Sequence, residues 1–133
     1  MPGSVVKTNQ CQTQMEITNC LHAAIIVSNL EKSQQFYSNV LGMQKIDREL
    51  KFPGIWYQIG NFQLHLILAA TILPDAVDSE KWGRNRHLAF AVANLEAAKQ
   101  QLAANNCPVQ MSASGRSALF TQDPDGNIIE LSE

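Results

Sequence analysis

An internal repeat constrains this sequence more than any other feature. Shifted by 65 residues against itself, the chain pairs His22 with His87 and His65 with Glu130. The same offset aligns the segment VSNLE with the segment VANLE. The chain has only three histidines, and all of them belong to this pattern. Because self-similarity at a fixed offset indicates a repeated structural unit, we predict two copies of one small unit that build a site together.

Length and composition predict one compact domain. The chain has 133 residues, of which 45% are apolar and 17% are charged, as in an ordinary globular protein. Its net charge of −2 lacks the basic surface that binding to nucleic acid or to an acidic membrane requires. The longest apolar stretches are too short to span a bilayer. The expected partner is therefore a small molecule, with no nucleic acid and no membrane.

The N-terminal residues and the cysteines predict a cytoplasmic protein. Residues 1–14 contain no apolar core of signal-peptide length, and residues 1–16 are expected to form a flexible tail. Cys11, Cys20 and Cys107 form no CxxC pair and are expected to be reduced thiols. On a strand Cys20 would share a face with His22, either as a thiol near the site or, as we favour, as a small buried residue.

The first unit is predicted to run strand, helix, strand, strand, strand. An apolar, β-branched run over residues 17–27 indicates the first strand. Ser28 or Asn29 can cap the helix, and Gly42 ends it. Short strands are then predicted over residues 44–50, 54–60 and 62–69.

The second unit repeats this order after a linker over residues 70–85. Its first strand is predicted over residues 86–93, and Asn94 caps a helix from Leu95 to about Asn105. The remaining strands are predicted over residues 109–111, 117–122 and 127–131, the last two joined by an Asp-Pro-Asp-Gly turn. We therefore expect a single domain over residues 17–133, made of modules 17–69 and 86–132.

The four paired side chains predict a metal site. Small residues on the same strand faces as His22 and His87 leave room above the imidazoles. His65 and Glu130 lie within apolar strands, where an unpaired polar group would be costly. Imidazole and carboxylate are ligands that first-row divalent metals take. Because these four ligands leave coordination positions open, the site is predicted to be catalytic rather than structural.

Three motifs in the sequence resemble those of the vicinal oxygen chelate superfamily. They are the segment from Leu21 to Gly42, the strand RHLAFAV, and the terminal DPDGN with Glu130 and Leu131. The resemblance covers residues 17–132. The superfamily includes glyoxalase I, bleomycin-resistance and fosfomycin-resistance proteins, methylmalonyl-CoA epimerase and extradiol dioxygenases.

The resemblance implies an α+β fold in which two βαβββ modules form curved mixed sheets around a central metal-binding cleft. His22, His65, His87 and Glu130 match the ligand positions of glyoxalase I-like members. Small members are usually homodimers with metal sites shared between subunits. His22 and His65 of one subunit are therefore expected to meet His87 and Glu130 of the other, or all four to come from one chain if the modules close on themselves.

The implied function is that of a divalent-metal-dependent enzyme acting on a small substrate with adjacent oxygens, of lyase, isomerase, epimerase or dioxygenase type. The ion could be nickel, zinc, iron(II) or manganese. Glu130 is the expected base and His65 the second choice. One alternative is an iron(II) extradiol dioxygenase, in which His65 leaves the metal for acid–base work. The other is a metal-free ligand-binding protein of the bleomycin-resistance type.

A departure from the named families at His65 leaves the reaction open. Glyoxalase I usually has a carboxylate where this chain has His65, and epimerases usually have glutamine there.

Candidate substrate-binding residues lining the cleft are Trp56, Tyr57, Arg48, Arg116 and Phe120. Trp82 and Arg84, in the linker, are expected to form a lid or to anchor a dimer contact.

Overall fold

A computed structural model describes residues 14–73 and 76–133 of the chain. Cys11, Pro74 and most of the predicted N-terminal tail therefore lie outside the described residues. Within them the chain forms two four-stranded mixed sheets and two principal helices. The elements are β1 (His22–Val27), α1 (Leu30–Gln34), β2 (Gln44–Lys45), β3 (Gly54–Ile59), β4 (Phe62–Leu68), β5 (His87–Ala91), α2 (Leu95–Ala104), β6 (Val109–Met111), β7 (Ala118–Gln122) and β8 (Ile128–Ser132).

The two sheets have the same topology. Their strand orders are β1-β4-β3-β2 and β5-β8-β7-β6. In each sheet the first strand pairs in parallel with the last, and the remaining pairs are antiparallel. His65 lies opposite Ala24, and Glu130 lies opposite Ala89. The sheets therefore place the residues that the repeat pairs at equivalent positions.

Asparagine caps start both helices, as the sequence predicts. The side chain of Asn29 accepts a hydrogen bond from the backbone N–H of Lys32, and that of Asn94 accepts one from Ala97. Helix α1 continues as a π-helical segment over Gln35–Val40. Neither of these helices, nor any other in residues 14–73 and 76–133, is long and apolar enough to cross a bilayer.

One apolar core joins the two modules. Side chains of α1, β3 and β4 from the first module pack in the same cluster as side chains of α2, β7 and β8 from the second. The fully buried members include Tyr37, Tyr57, Leu66, Leu102 and Ile129. The opposite face of each sheet is thereby left to carry the histidines.

A turn of the second module clasps the first module. Asp123 is buried, and its carboxylate accepts hydrogen bonds from the hydroxyl of Tyr37 and from the backbone and side chain of Asn127. Asp125 accepts hydrogen bonds from the backbone N–H and the hydroxyl of Ser28. The Asp-Pro-Asp-Gly turn therefore fixes the module junction as well as reversing the chain.

Several predicted strands are longer than the strands in the structure. Residues 17–21 form no strand, and Ile17 and Leu21 are 83% and 71% exposed. Cys20 is also exposed, so our expectation of a buried residue there is wrong. The strand predicted over residues 44–50 is reduced to Gln44–Lys45, because its partner β3 pairs with only those two residues.

Candidate metal centre

The first sheet carries two stacked histidines. His22 begins β1 and is exposed, whereas His65 lies in the middle of β4 and is 7% exposed. Their ring centroids are 4.1 Å apart, with an angle of 16° between the rings. Ala24 is the Cα partner of His65 across the parallel pair, and its small side chain leaves space beside the imidazole.

Trp56 and Arg48 extend this stack on the other side of His65. The indole lies almost parallel to the His65 ring, at 3.7 Å and 4°. The guanidinium of Arg48 lies 4.1 Å from the centre of the indole, in cation–π contact. Burial, together with the neighbouring His22 and Arg48, lowers the pKa of His65 from its ordinary value of 6.5. His65 is therefore neutral at pH 7, which is the form that can bind a metal or accept a proton.

The second sheet carries His87 and Glu130 in direct contact. His87 Nδ1 lies 2.7 Å from the carbonyl oxygen of Asn85. Because a carbonyl can only accept, Nδ1 carries a proton. The other nitrogen, Nε2, lies 3.0 Å from Oε1 of Glu130. Two atoms with lone pairs at this distance require a cation between them, either a proton or a metal ion, so the pair suits a divalent ion.

A buried asparagine fixes the orientation of His87. The side-chain oxygen of Asn85 accepts hydrogen bonds from the backbone N–H groups of Val77 and Asp78, and its nitrogen donates to the carbonyls of Asp78 and Trp82. Because all of these bonds hold Asn85 in place, its carbonyl orients the imidazole as the outer partner of a metal-binding histidine does. Nothing in the sequence pattern pointed to Asn85.

Glu130 is held as a carboxylate. Its Oε2 accepts hydrogen bonds from Arg116 and from the Ser132 hydroxyl, both at 3.2 Å. Burial raises the pKa of Glu130, but the hydrogen bonds from His87 and Ser132 and the charge of Arg116 outweigh it, so the pKa is below the usual 4.5. The group is therefore ionised at neutral pH, as a metal ligand must be.

The two pairs do not meet within one chain. In the parts of the chain that the structure describes, no three His, Cys, Asp or Glu side chains lie together in a way that could hold a metal ion. Each pair belongs to the face of its own sheet. In the described residues, therefore, the four predicted ligands are not gathered into a single metal-binding cluster.

The predicted substrate-binding residues separate into two groups. Trp56 and Arg48 lie beside His65, Arg116 contacts Glu130, and the Phe120 ring meets His87 edge to face at 5.5 Å. Tyr57 instead is fully buried in the core, where its hydroxyl contacts Ser38. Adjacent strand residues point to opposite faces, so Trp56 at the site excludes Tyr57 from it. The prediction for Tyr57 needs this correction.

The linker packs over Phe120. A short 3₁₀ turn, Trp82–Arg84, passes so close that a Cβ atom on Gly83 would lie 2.6 Å from the Phe120 ring. The backbone N–H of Trp82 donates to the side chain of Gln110, which donates in turn to the carbonyl of Glu80. The linker thus forms one wall of a cavity of about 680 Å³ that extends to Arg116.

The fold agrees with a comparison to known protein families. A family model described as the Glyoxalase/Bleomycin resistance protein/Dioxygenase superfamily matches residues 19–131. The chain belongs to this superfamily.

Relatives within the superfamily differ in activity. Human mitochondrial methylmalonyl-CoA epimerase is 27% identical over 127 residues, covering 84% of this chain and 72% of the relative. Lactoylglutathione lyase of Salmonella typhimurium is 29% identical over 122 residues, covering 85% and 90%. A glyoxalase family protein from Bacillus anthracis has a similar structure, with a TM-score of 0.74 at 23% identity and coverage of 90% and 97%. These similarities support the family and the fold rather than one reaction.

Proposed function

We propose that this chain is one subunit of a homodimeric, divalent-metal-dependent enzyme that acts on a small substrate with adjacent oxygen atoms. The proposed reaction is of lyase, isomerase, epimerase or dioxygenase type. The observation that carries the proposal is the His87–Glu130 pair, in which an outer hydrogen bond fixes the imidazole and Nε2 faces a carboxylate 3.0 Å away. This geometry supports a role for the pair as half of a metal site.

The other half-site is proposed to come from the partner subunit. His22 and His65 would approach His87 and Glu130 of the second copy, since the pairs lie apart within one chain. Exposed apolar side chains near β1 suit such an interface. Those within the described residues include Met15, Ile17, Leu21 and Ile26, between 51% and 86% exposed.

The chemistry of the site follows from its residues. A divalent ion held by these four side chains would act as a Lewis acid on the substrate oxygens. Glu130 is the proposed base, because it is ionised and lies at the site; neutral His65 is the second choice. Arg116 holds one carboxylate oxygen of Glu130 and so limits its rotation.

The cavity lined by Arg116, which contacts Glu130, supports a proposal for the kind of substrate. Its lining combines the apolar side chains of Met111 and Phe120 with the cations Lys81, Arg84 and Arg116. This combination suits a small, partly apolar compound that carries negatively charged oxygen. The linker that closes one wall is proposed to keep water away from the reacting atoms.

A test of the shared site uses two variants, each with only one half-site damaged. We expect His22→Ala and Glu130→Ala homodimers to lose bound metal, whereas the wild type holds a stoichiometric divalent ion. Co-expression with different tags yields heterodimers in which both substitutions fall in one site and the other site is intact. The purified heterodimer should then regain about half of the wild-type metal content.

Other outcomes of this experiment have definite meanings. Heterodimers without metal would contradict the shared site. Wild-type protein that holds no metal after loading, together with ligand binding that survives Glu130→Ala, would overturn the enzyme proposal in favour of a metal-free ligand-binding protein. Size-exclusion chromatography with light scattering supplies the control that all variants remain dimers.

An iron(II) extradiol dioxygenase is the second candidate. The observation that favours it is the contact between Nε2 of His65 and Gln63, at 2.9 Å, which occupies that nitrogen and leaves Nδ1 free for acid–base work. The set His22, His87 and Glu130 then matches the two-histidine, one-carboxylate arrangement of non-haem iron enzymes. Oxygen uptake on catechols by iron-loaded protein supports this candidate, and its absence with proton-transfer activity under zinc or nickel rejects it.

A further inference from the structure

A chain of side-chain amides runs along the first sheet and ends on His65. The side-chain nitrogen of Gln58 lies 2.7 Å from the carbonyl oxygen of Gly60 and 3.3 Å from that of Phe62. Gln63 Nε2 lies 2.9 Å from Gln58 Oε1, and Gln63 Oε1 lies 2.9 Å from Nε2 of His65.

The carbonyls of Gly60 and Phe62 fix which amide groups donate and which accept in this series of hydrogen bonds. A backbone carbonyl can only accept hydrogen bonds, so Gln58 must present its NH₂ group to Gly60 and Phe62 and its oxygen to Gln63. Gln63 must then donate to that oxygen, which leaves its own oxygen facing His65. An amide oxygen also only accepts. The Nε2 atom of His65 must therefore donate.

We propose that Gln58 and Gln63 form a directional relay that fixes His65 as the tautomer with hydrogen on Nε2. Nδ1 then carries the only lone pair that the neutral ring can offer to a metal ion or to a substrate proton. In His87, by contrast, it is Nδ1 that faces a carbonyl and carries hydrogen, while Nε2 faces Glu130. Gln58 and Gln63 are positioning residues, and their role in catalysis rests on the function proposed above.

The stacking on both faces of His65 supports the fixed assignment. Trp56 covers one face of the ring at 3.7 Å and His22 covers the other at 4.1 Å. A ring confined between two planes resists a flip about the Cβ–Cγ bond, which would put a carbon where Nε2 now lies. That flip would break the hydrogen bond to Gln63, so the relay and the stack reinforce one another.

The positions of the relay residues in the sheet explain how their side chains meet. Gln63 and His65 are two residues apart on β4 and share a face, and Gln58 lies directly opposite Gln63 on β3. Gly60 lies in the tight connection between these strands, with a φ of 58° that suits glycine. The turn therefore supplies the acceptor that sets the direction of the relay.

Nuclear magnetic resonance tests the proposal directly. Long-range ¹H–¹⁵N spectra of the metal-free dimer distinguish a protonated ring nitrogen from an unprotonated one. At about pH 8, well above the ordinary pKa of histidine, we expect His65 to show a single tautomer with hydrogen on Nε2. Gln63→Leu removes the acceptor and should give a mixture of the two tautomers. Gln58→Leu frees the Gln63 amide to rotate and should give an intermediate mixture.

The matched control is Gln44→Leu. Gln44 is exposed and is the Cα partner of Gln58 on β2, so its loss alters the sheet without touching the relay and should leave the His65 spectrum unchanged. A wild-type His65 that carries hydrogen on Nδ1, or a mixture that Gln63→Leu does not alter, overturns the proposal.

Zinc loading separates this proposal from the proposed function. If zinc binds, the Nε2–H signal of His65 should persist, and its disappearance on binding would overturn the relay. If zinc does not bind, the metal-dependent function fails, whereas the tautomer measured in metal-free protein still decides the relay.

Discussion

At the residue scale, the clearest constraint is the close approach of Gly83 to Phe120. The Cα of Gly83 leaves no space for a Cβ atom, which would lie 2.6 Å from the tip of the aromatic ring. Phe120 in turn touches His87. Because glycine has no side chain, the linker can pack at Gly83 against Phe120, which borders the candidate site.

Gly83→Ala should destabilise the protein by about 1–3 kcal/mol, because overpacking forces the ring or the turn to move. Urea unfolding measures the change. In a Phe120→Leu background the same substitution should cost less, since the shorter side chain relieves the clash. Equal costs in both backgrounds would show that the contact with Phe120 is not the cause.

Residue-level reasoning from the sequence succeeded where the repeat guided it. The repeat singled out His22, His65, His87 and Glu130, and the structure brings these into two contacting pairs. It failed for Tyr57, which lies next to Trp56 on β3 but on the buried face. It also missed Asn85 and Gln63. An amide acts through its hydrogen-bond partners, and in the sequence these two residues look like ordinary uncharged surface residues.

At the element scale, the clasp between the modules includes one buried phenol. The hydroxyl of Tyr37 on the π-helical segment donates to the buried carboxylate of Asp123 at 2.7 Å. The turn that carries Asp123 also reaches Ser28 and Ile26 through Asp125 and Asn127. Helix and turn are 86 residues apart in sequence, so no local propensity could have indicated this contact.

Tyr37→Phe should lower the free energy of unfolding by about 1–3 kcal/mol, because it removes a donor from a buried carboxylate. Tyr57→Phe is the matched control. Its hydroxyl forms a hydrogen bond with Ser38, which is half-buried, and a typical neutral hydrogen bond contributes about 1 kcal/mol. Chemical denaturation compares the two variants, and equal losses would argue against a special role for the clasp.

The boundaries of the elements were harder to predict than their order. Caps at Asn29 and Asn94 and the strand–helix alternation were readable because they depend on local chemistry. The ends of β1 and β2 were not, since a strand extends only as far as its partner does. The π-helical segment was not predicted, because the sequence pattern was interpreted with regular α-helical spacing.

At the scale of the whole molecule, both tyrosines of the chain are buried in the shared core. Burial, followed by the charge of Asp123 and the hydrogen bond to it, raises the pKa of Tyr37 well above 10.0. Burial also raises the pKa of Tyr57, although its contact with Ser38 opposes the change. The folded protein therefore holds its phenolic protons more tightly than the unfolded chain does.

This difference predicts instability in alkali. The contribution of a group with a raised pKa is complete below its unfolded pKa, near 10, and is lost as the pH rises through its folded pKa. Urea unfolding between about pH 8 and pH 11 should show falling stability, and phenolate absorbance should rise only as the protein unfolds. Tyr37→Phe should flatten the decline. Free ionisation of both tyrosines near pH 10 in folded protein would contradict the prediction.

The two pairs, His22 with His65 and His87 with Glu130, have different surroundings although they lie at equivalent positions of the two sheets. One wall is aromatic, with Trp56 stacked on His65, and the other is ionic, with Arg116 and His87 around Glu130. In the proposed dimer every cleft would have one wall of each kind. Such a cleft would bind an unsymmetrical substrate in one orientation. The two enantiomers of a chiral substrate would then present different atoms to the same base. Duplication followed by divergence of a single position, histidine opposite glutamate, would in this way have supplied a means of stereochemical choice.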